Sequence, residues 1–99
     1  MEQVIFEIII SAGNARALAY DALKCAEDGN FEEAESLLKQ SDEEVSKAHK
    51  AQTGVVQKEA AGEKVEVSVL FVHAQDQLMT TLSERQLIEA MIRLIKRQA

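Results

Sequence analysis

The helical periodicity of this sequence is interrupted at only two places in 99 residues, at positions 28–30 and 61–63. Both interruptions contain a glycine. Gly29 suits the left-handed residue that commonly follows a helix, and Asn30 is placed to cap the next helix. Ser68 is a candidate N-cap after the second interruption. The pattern therefore predicts three long helices in an all-α, antiparallel bundle.

Composition agrees with this fold class and limits the number of domains. The chain has no Pro, four Gly and 4% aromatic residues, which favours helices over strands and turns. A chain of 99 residues, 46% of them hydrophobic, buries enough surface for one core but not for two. Residues 1–99 are therefore predicted to form a single domain.

Charge and cysteine content exclude several functions. The net charge of −6 provides no attraction for nucleic acid or for anionic lipid. No segment is long and apolar enough for a membrane span. Cys25 is the only cysteine, so an internal disulfide is excluded and a reducing compartment is favoured. We therefore expect a cytoplasmic protein that does not insert into membranes.

The third helix differs from the other two in its apolar pattern. The first helix has one seam of apolar and small residues in steps of three and four, comprising Ile5, Ile8, Ala12, Ala15, Ala19, Ala22 and Ala26. Helix 3 instead has Phe71, Ala74 and Leu78 on one side and Val69, Val72 and Met79 on another. Three helices cannot enclose both sides. The pattern predicts a homo-oligomer built on helix 3.

His73 and Asp76 lie three residues apart on this helix and therefore share a face. In an apolar environment a carboxylate needs a proton, a cation or hydrogen-bond donors. If symmetry brings copies of Asp76 together, a hard cation such as Mg²⁺ becomes a candidate ligand. The alternative is a core hydrogen bond between His73 and Asp76, and the residue types alone do not decide between these two interpretations.

The remaining reactive residues have weaker claims. His49 lies between two lysines and is expected to be a surface or groove-edge residue. Cys25 has no neighbouring cation to activate it and is expected to be structural. His73 is therefore the best candidate nucleophile.

One segment of helix 3 reads Val72-His73-Ala74-Gln75-Asp76-Gln77-Leu78-Met79-Thr80. It resembles the active-site helix of the lactose/cellobiose-type (also chitobiose-type) IIA proteins of the bacterial sugar phosphotransferase system. Further similar segments occur in the same order and cover nearly the whole chain: residues 12–16, 29–34 and 48–53.

The resemblance implies a three-helix subunit that assembles into a nine-helix homotrimer, with the third helices at the axis. His73 then accepts a phosphoryl group from the carrier protein HPr and donates it to a cysteine of the cognate IIB protein or domain. Asp76 meets its symmetry mates and holds one divalent cation per trimer, which we expect to be Mg²⁺. Gln75, which is close to His73 in sequence, is a candidate contact for the phosphoryl oxygens in a groove between subunits.

Two positions differ from many family members, which have histidines where this chain has Gln77 and Lys50. These differences affect local hydrogen bonding and the edge of the partner surface, not the phosphorylated position. The competing hypothesis is a non-catalytic helical oligomerisation or adaptor module in which His73 and Asp76 fix the register of the core. The transported sugar, a β-linked disaccharide, is not specified by the sequence.

Overall fold

The computed structural model describes all 99 residues and contains three helices and no strand. α1 spans Glu2–Glu27, α2 spans Phe31–Ala60 and α3 spans Val69–Gln98. They form a rod measuring 53 × 19 × 19 Å. None of them is long and apolar enough to cross a membrane. The predicted three-helix, all-α subunit is confirmed.

The first two helices end in the same hydrogen-bonded turn. Gly29 has a φ of +83°, and its N–H donates to the carbonyl of Ala26 at 3.0 Å. The N–H of Asn30 donates to the carbonyl of Cys25 at 2.8 Å, which completes a Schellman motif. Gly62, with a φ of +90°, occupies the equivalent position after α2. Both interruptions seen in the sequence are therefore helix-terminating turns that a residue with a Cβ would strain.

The predicted N-caps are also confirmed. The side-chain oxygen of Asn30 accepts a hydrogen bond from the N–H of Glu33 at 3.3 Å. The hydroxyl of Ser68 accepts one from the N–H of Phe71 at 3.1 Å. Each cap satisfies one of the N–H groups that have no partner inside the first turn of a helix, and so determines where α2 and α3 begin.

The predicted seam of α1 is buried along its whole length, and no member is more than 2% exposed. Two apolar clusters include five of its seven residues, two in one cluster and three in the other. One cluster joins the start of α1 to the end of α2 and the start of α3, and contains Ile5, Ile8, Ala48, Val55, Phe71, Ala74 and Leu78. The other lies at the opposite end of the rod and contains Ala19, Ala22, Ala26, Ala34, Ile88 and Ile92. This pairing makes α2 antiparallel to α1 and α3 parallel to it.

Buried hydroxyl groups lie between the two clusters. Ser41 on α2 donates a hydrogen bond to the carbonyl of Ala15 at 2.7 Å, and Thr81 on α3 donates to the carbonyl of Ala12 at 3.3 Å. Both hydroxyl-bearing residues are fully buried. Because each hydroxyl has a partner, this layer avoids the cost of an unsatisfied buried group and sets the register of α2 and α3 against α1.

α1 is the central helix of the subunit. It packs along both other helices, whereas α2 and α3 make few contacts with each other. As a result, one side of α3 faces the core and another remains uncovered. Phe71, Ala74 and Leu78 are buried, whereas Val69, Val72 and Met79 are exposed by 89%, 48% and 56%. The prediction that one subunit cannot enclose both apolar sides of α3 is confirmed.

Close packing at the seam can be tested at Ala15, which is fully buried beneath the hydroxyl of Ser41. We expect Ala15→Leu to lower the free energy of unfolding by about 1–3 kcal/mol, because the extra methyl and methylene groups overpack the contact. Ala17→Leu is the matched control, because Ala17 is exposed and lies two residues after Ala15. Its free energy of unfolding should stay within about 0.5 kcal/mol of the wild type. Urea denaturation at one protein concentration measures both. Equal losses of stability in the two variants would contradict tight packing at the seam.

Candidate functional site

His73 and Asp76 lie in the second turn of α3, and both are exposed in the single chain. Neither side chain makes a hydrogen bond within the subunit, so the core hydrogen bond considered from the sequence does not form there. No three metal-binding side chains of one chain lie together. The His73 imidazole is therefore open to a partner molecule, and a cation site with Asp76 as one of three protein ligands would need side chains from other chains.

Asp76 interrupts a line of exposed apolar side chains along α3, which we call the outer stripe. Its members are Val69, Val72, Met79, Leu87, Met91 and Leu94. The outer stripe extends through the second half of α3, where Leu87 is 63% and Leu94 is 55% exposed. The three residues predicted for the second apolar side of α3, Val69, Val72 and Met79, lie only in its first half. Exposed apolar surface of this length is typical of a protein interface.

Gln75 occupies another side of α3 and contacts α2. Its side-chain oxygen accepts a hydrogen bond from the amide of Gln52 at 3.0 Å, and Gln75 is half-buried. Residues two apart on a helix do not face each other, so Gln75 points away from His73 within one subunit. A contact between them requires Gln75 from a neighbouring subunit.

A row of polar side chains continues from His73 along the side of α3 that faces α1. We call it the polar row; its members are Gln77, Thr80 and Glu84, and the guanidinium of Arg16 on α1 contacts all three. Arg16 Nη1 lies 3.0 Å from Gln77 Oε1, and Nη2 lies 2.5 Å from Thr80 Oγ1. Arg16 Nε lies 2.6 Å from Glu84 Oε2. No role was predicted for Arg16 from the sequence, because its partners on α3 lie more than 60 residues away.

Glu84 also binds a second residue of α1. Tyr20 donates a hydrogen bond from its hydroxyl to Glu84 Oε1 at 3.0 Å. This hydrogen bond, with the negative charge of the carboxylate, raises the pKa of Tyr20 above its ordinary value. Tyr20 therefore stays a neutral donor at physiological pH, and Glu84 is held between Tyr20 and Arg16.

The other reactive residues lie where the sequence analysis expected. His49 is exposed on α2, one turn before Gln52. Cys25 is partly buried and packs against the cluster at the far end of the rod. Its packing supports a structural role for this thiol.

Comparison with known proteins agrees with this arrangement. The family model of the PTS lactose/cellobiose-specific IIA subunit matches residues 3–96. A lichenan-specific phosphotransferase enzyme IIA component from Bacillus subtilis (strain 168) is 44% identical over 97 residues, which cover 98% of this chain and 88% of that protein.

Solved structures give the same result. The PTS cellobiose-specific enzyme IIA from Bacillus anthracis superimposes with a TM-score of 0.95 and 41% identity, covering 98% of this chain and 89% of that one. The IIA(Chitobiose) chain in complex with HPr, from the Escherichia coli phosphotransferase system, superimposes with a TM-score of 0.86 and 40% identity. The match covers 98% of this chain and 94% of that one. With the match over nearly its whole length, the chain belongs to the lactose/cellobiose-specific IIA family of the phosphotransferase system.

Proposed function

We propose that this chain is a phosphocarrier that accepts a phosphoryl group from phospho-HPr on His73 and passes it to a cysteine of a IIB protein or domain. The observation that carries the proposal is the exposed imidazole of His73 on a helix of this family's fold. A relay residue must be reached by two partners in turn, and an exposed side chain on a rigid helix allows this. The complex of a related IIA chain with HPr supports HPr as the donor.

The transfer requires little from the subunit besides position. The lone pair of one His73 nitrogen forms a new N–P bond while the P–N bond of the donor histidine breaks and its electron pair stays on the donor nitrogen. The second nitrogen of each imidazole keeps its proton, so the proton count is unchanged. In the next step the thiolate of IIB forms an S–P bond, and the electron pair of the N–P bond returns to His73. Alignment and charge stabilisation are the main catalytic factors in such transfers.

The outer stripe supports a homotrimer in which three copies of α3 pack around an axis. Together with the exposed residues Asp76 and Ser83, its apolar residues follow one another in steps of three and four, as in the seams of packed parallel helices. Burying the stripe removes apolar side chains from water along most of the 30-residue helix. In such a trimer, Gln75 of a neighbouring subunit is a candidate contact for phosphoryl oxygens on His73.

Asp76 fits a divalent cation at this axis. It is the one acidic residue between the exposed apolar side chains Val72 and Met79, and its carboxylate has no partner in its own subunit. Three carboxylates that meet at an axis repel one another, and a hard cation such as Mg²⁺, which prefers oxygen ligands, would offset that repulsion. The cation would supply structural charge neutralisation rather than take part in the transfer.

The substrate class that we propose for the transport system is a β-linked disaccharide. The related proteins named above serve lichenan, cellobiose and chitobiose systems at nearly equal identity to this chain. A relay that exchanges phosphoryl groups with HPr and IIB operates in the cytoplasm and does not contact the sugar.

The trimer can be tested by sedimentation at micromolar concentration. We expect a particle of three 11.0 kDa chains, because the outer stripe is too apolar to stay in water. Leu87→Glu should weaken the assembly, since it would place three charges in the interface. Glu59→Gln, on the exposed surface of α2, is the control. A monomeric wild-type protein would refute the proposed assembly.

The cation can be tested by changing Asp76. We expect Asp76→Leu to form a trimer at least as stable as the wild type and insensitive to chelators, because burying apolar groups avoids the desolvation of three carboxylates. Thermal unfolding with and without a chelator provides the measurement. If chelators leave the wild-type trimer unaffected and metal analysis finds no ion, the cation proposal is wrong.

Phosphorylation can be tested with phosphoenolpyruvate, enzyme I and HPr. We expect one phosphate per subunit, stable in base and lost in acid, as a phosphoramidate should be. His73→Ala should abolish labelling but keep the helical content and the trimer, because His73 is exposed. His49→Ala is the control and should still be labelled. Full labelling of His73→Ala would refute the assignment.

A further inference from the structure

We propose that Arg16 is a positioning residue that orients Gln77, so that the Gln77 carboxamide donates a hydrogen bond to the phosphoryl group carried by His73. The proposal rests on the proposed function of His73 as the phosphorylated residue. Gln77 is one of the two positions at which this chain differs from many family members. Arg16 acts through Gln77 and does not contact the phosphoryl group itself.

The contact with Arg16 determines which way the Gln77 amide faces. An arginine side chain has five N–H donors and no acceptor, so only the carbonyl oxygen of Gln77 can face it. The 3.0 Å contact between Arg16 Nη1 and Gln77 Oε1 is consistent with this requirement. The NH₂ group of Gln77 must therefore point away from the guanidinium, and it makes no hydrogen bond within the subunit.

The other contacts of Arg16 show on which side of Gln77 the guanidinium lies. Arg16 also binds Thr80 and Glu84, which follow Gln77 along α3. The guanidinium thus lies toward the C-terminal side of Gln77. With the carbonyl on that side, we infer that the NH₂ group faces the preceding turn, where His73 lies four residues earlier. Side chains four residues apart on a helix are neighbours, about 5–6 Å apart at Cβ.

A phosphoryl group on His73 needs such a donor. It adds about −1.5 to −2 charges to a chain whose net charge is −6. A neutral amide can donate to phosphoryl oxygens without forming a fixed ion pair that would hold the group too tightly for onward transfer. The positive charge of Arg16 on the amide oxygen should also polarise the N–H bonds and strengthen them as donors.

Thr80 and Glu84 hold the guanidinium in place. Thr80 Oγ1 is anchored to its own helix by donating to the carbonyl of Asp76 at 2.8 Å. Glu84 balances the charge of Arg16 through its 2.6 Å contact with Nε. A lysine at position 16 would lack the planar guanidinium, whose several N–H groups contact all three members of the polar row at once.

The first experiment compares phosphorylation rates of variants with the complete chain, using phospho-HPr as donor. We expect Arg16→Met and Gln77→Leu each to lower the second-order rate about tenfold, as expected for loss of one hydrogen bond to a charged group. The double variant should lose no more than Gln77→Leu alone, because Arg16 acts through Gln77. If the rate losses of the two single variants multiply in the double variant, the two residues act independently and the proposal is wrong.

Arg85→Met is the matched control. Arg85 is also an arginine that ties α3 to another helix, with its Nε 2.6 Å from Asp42 Oδ1, and it also pairs with Glu89. It is not part of the polar row. Arg85→Met should lower stability at least as much as Arg16→Met, yet leave the phosphorylation rate within twofold of the wild type. An equal loss of rate in both variants would show that Arg16 has only a structural role.

The second experiment tests the donor directly. Gln77→Glu keeps the contact with Arg16 but replaces the NH₂ group by a carboxylate oxygen, so we expect a larger loss of rate than in Gln77→Leu with unchanged helical content. In the wild type, the ¹H–¹⁵N signals of the Gln77 carboxamide should shift on phosphorylation, and in Arg16→Met this shift should be lost. Unchanged signals in the phosphorylated wild type would refute the hydrogen bond.

These outcomes separate this proposal from the one on which it rests. A wild-type protein that is not labelled on His73 would overturn the function. A labelled wild type together with a normally labelled Arg16→Met would overturn only the positioning role of Arg16.

Discussion

The rest of the structure depends on the close packing of α2 and α3 against the alanine seam of α1. Five of the seven seam residues are alanines, and all seven are buried. Small side chains let both neighbouring helices approach the α1 backbone, so the hydroxyls of Ser41 and Thr81 can bond its carbonyl groups. These bonds run between helices and determine which turns of α2 and α3 lie beside which turns of α1. The contact between Arg16 and the polar row follows from that register.

Because α1 lies at the centre, α3 divides its surface among three roles. One side packs in the core through Phe71, Ala74 and Leu78. A second side carries the outer stripe and Asp76, and the polar row with His73 lies between these two. A straight helix with 3.6 residues per turn keeps these sides separate over its whole length. Assembly and phosphoryl transfer can therefore be served by one helix without competing with the core.

The extent to which the sequence predicted this protein differs between its parts. The helix ends at Gly29 and Asn30 were predicted correctly, since turn and cap chemistry depends on residues only a few positions apart. The resemblance to the IIA family was recognised from short segments and agrees with the family match over residues 3–96. Gln75 was predicted as a phosphoryl contact in a groove between subunits, and the hydrogen bond from Gln52 places it on the α2 side of α3 within one subunit.

The sequence by itself determined the number of helices, their ends, the buried seam of α1 and the surplus of apolar surface on α3. All of these follow from residue types at helical spacing within one segment. Only the tertiary structure decided the partners of Arg16, which lie more than 60 residues away in sequence. Such contacts depend on how two helices are rotated and shifted against each other, and that is set by packing and buried hydrogen bonds between segments rather than by the pattern within either one.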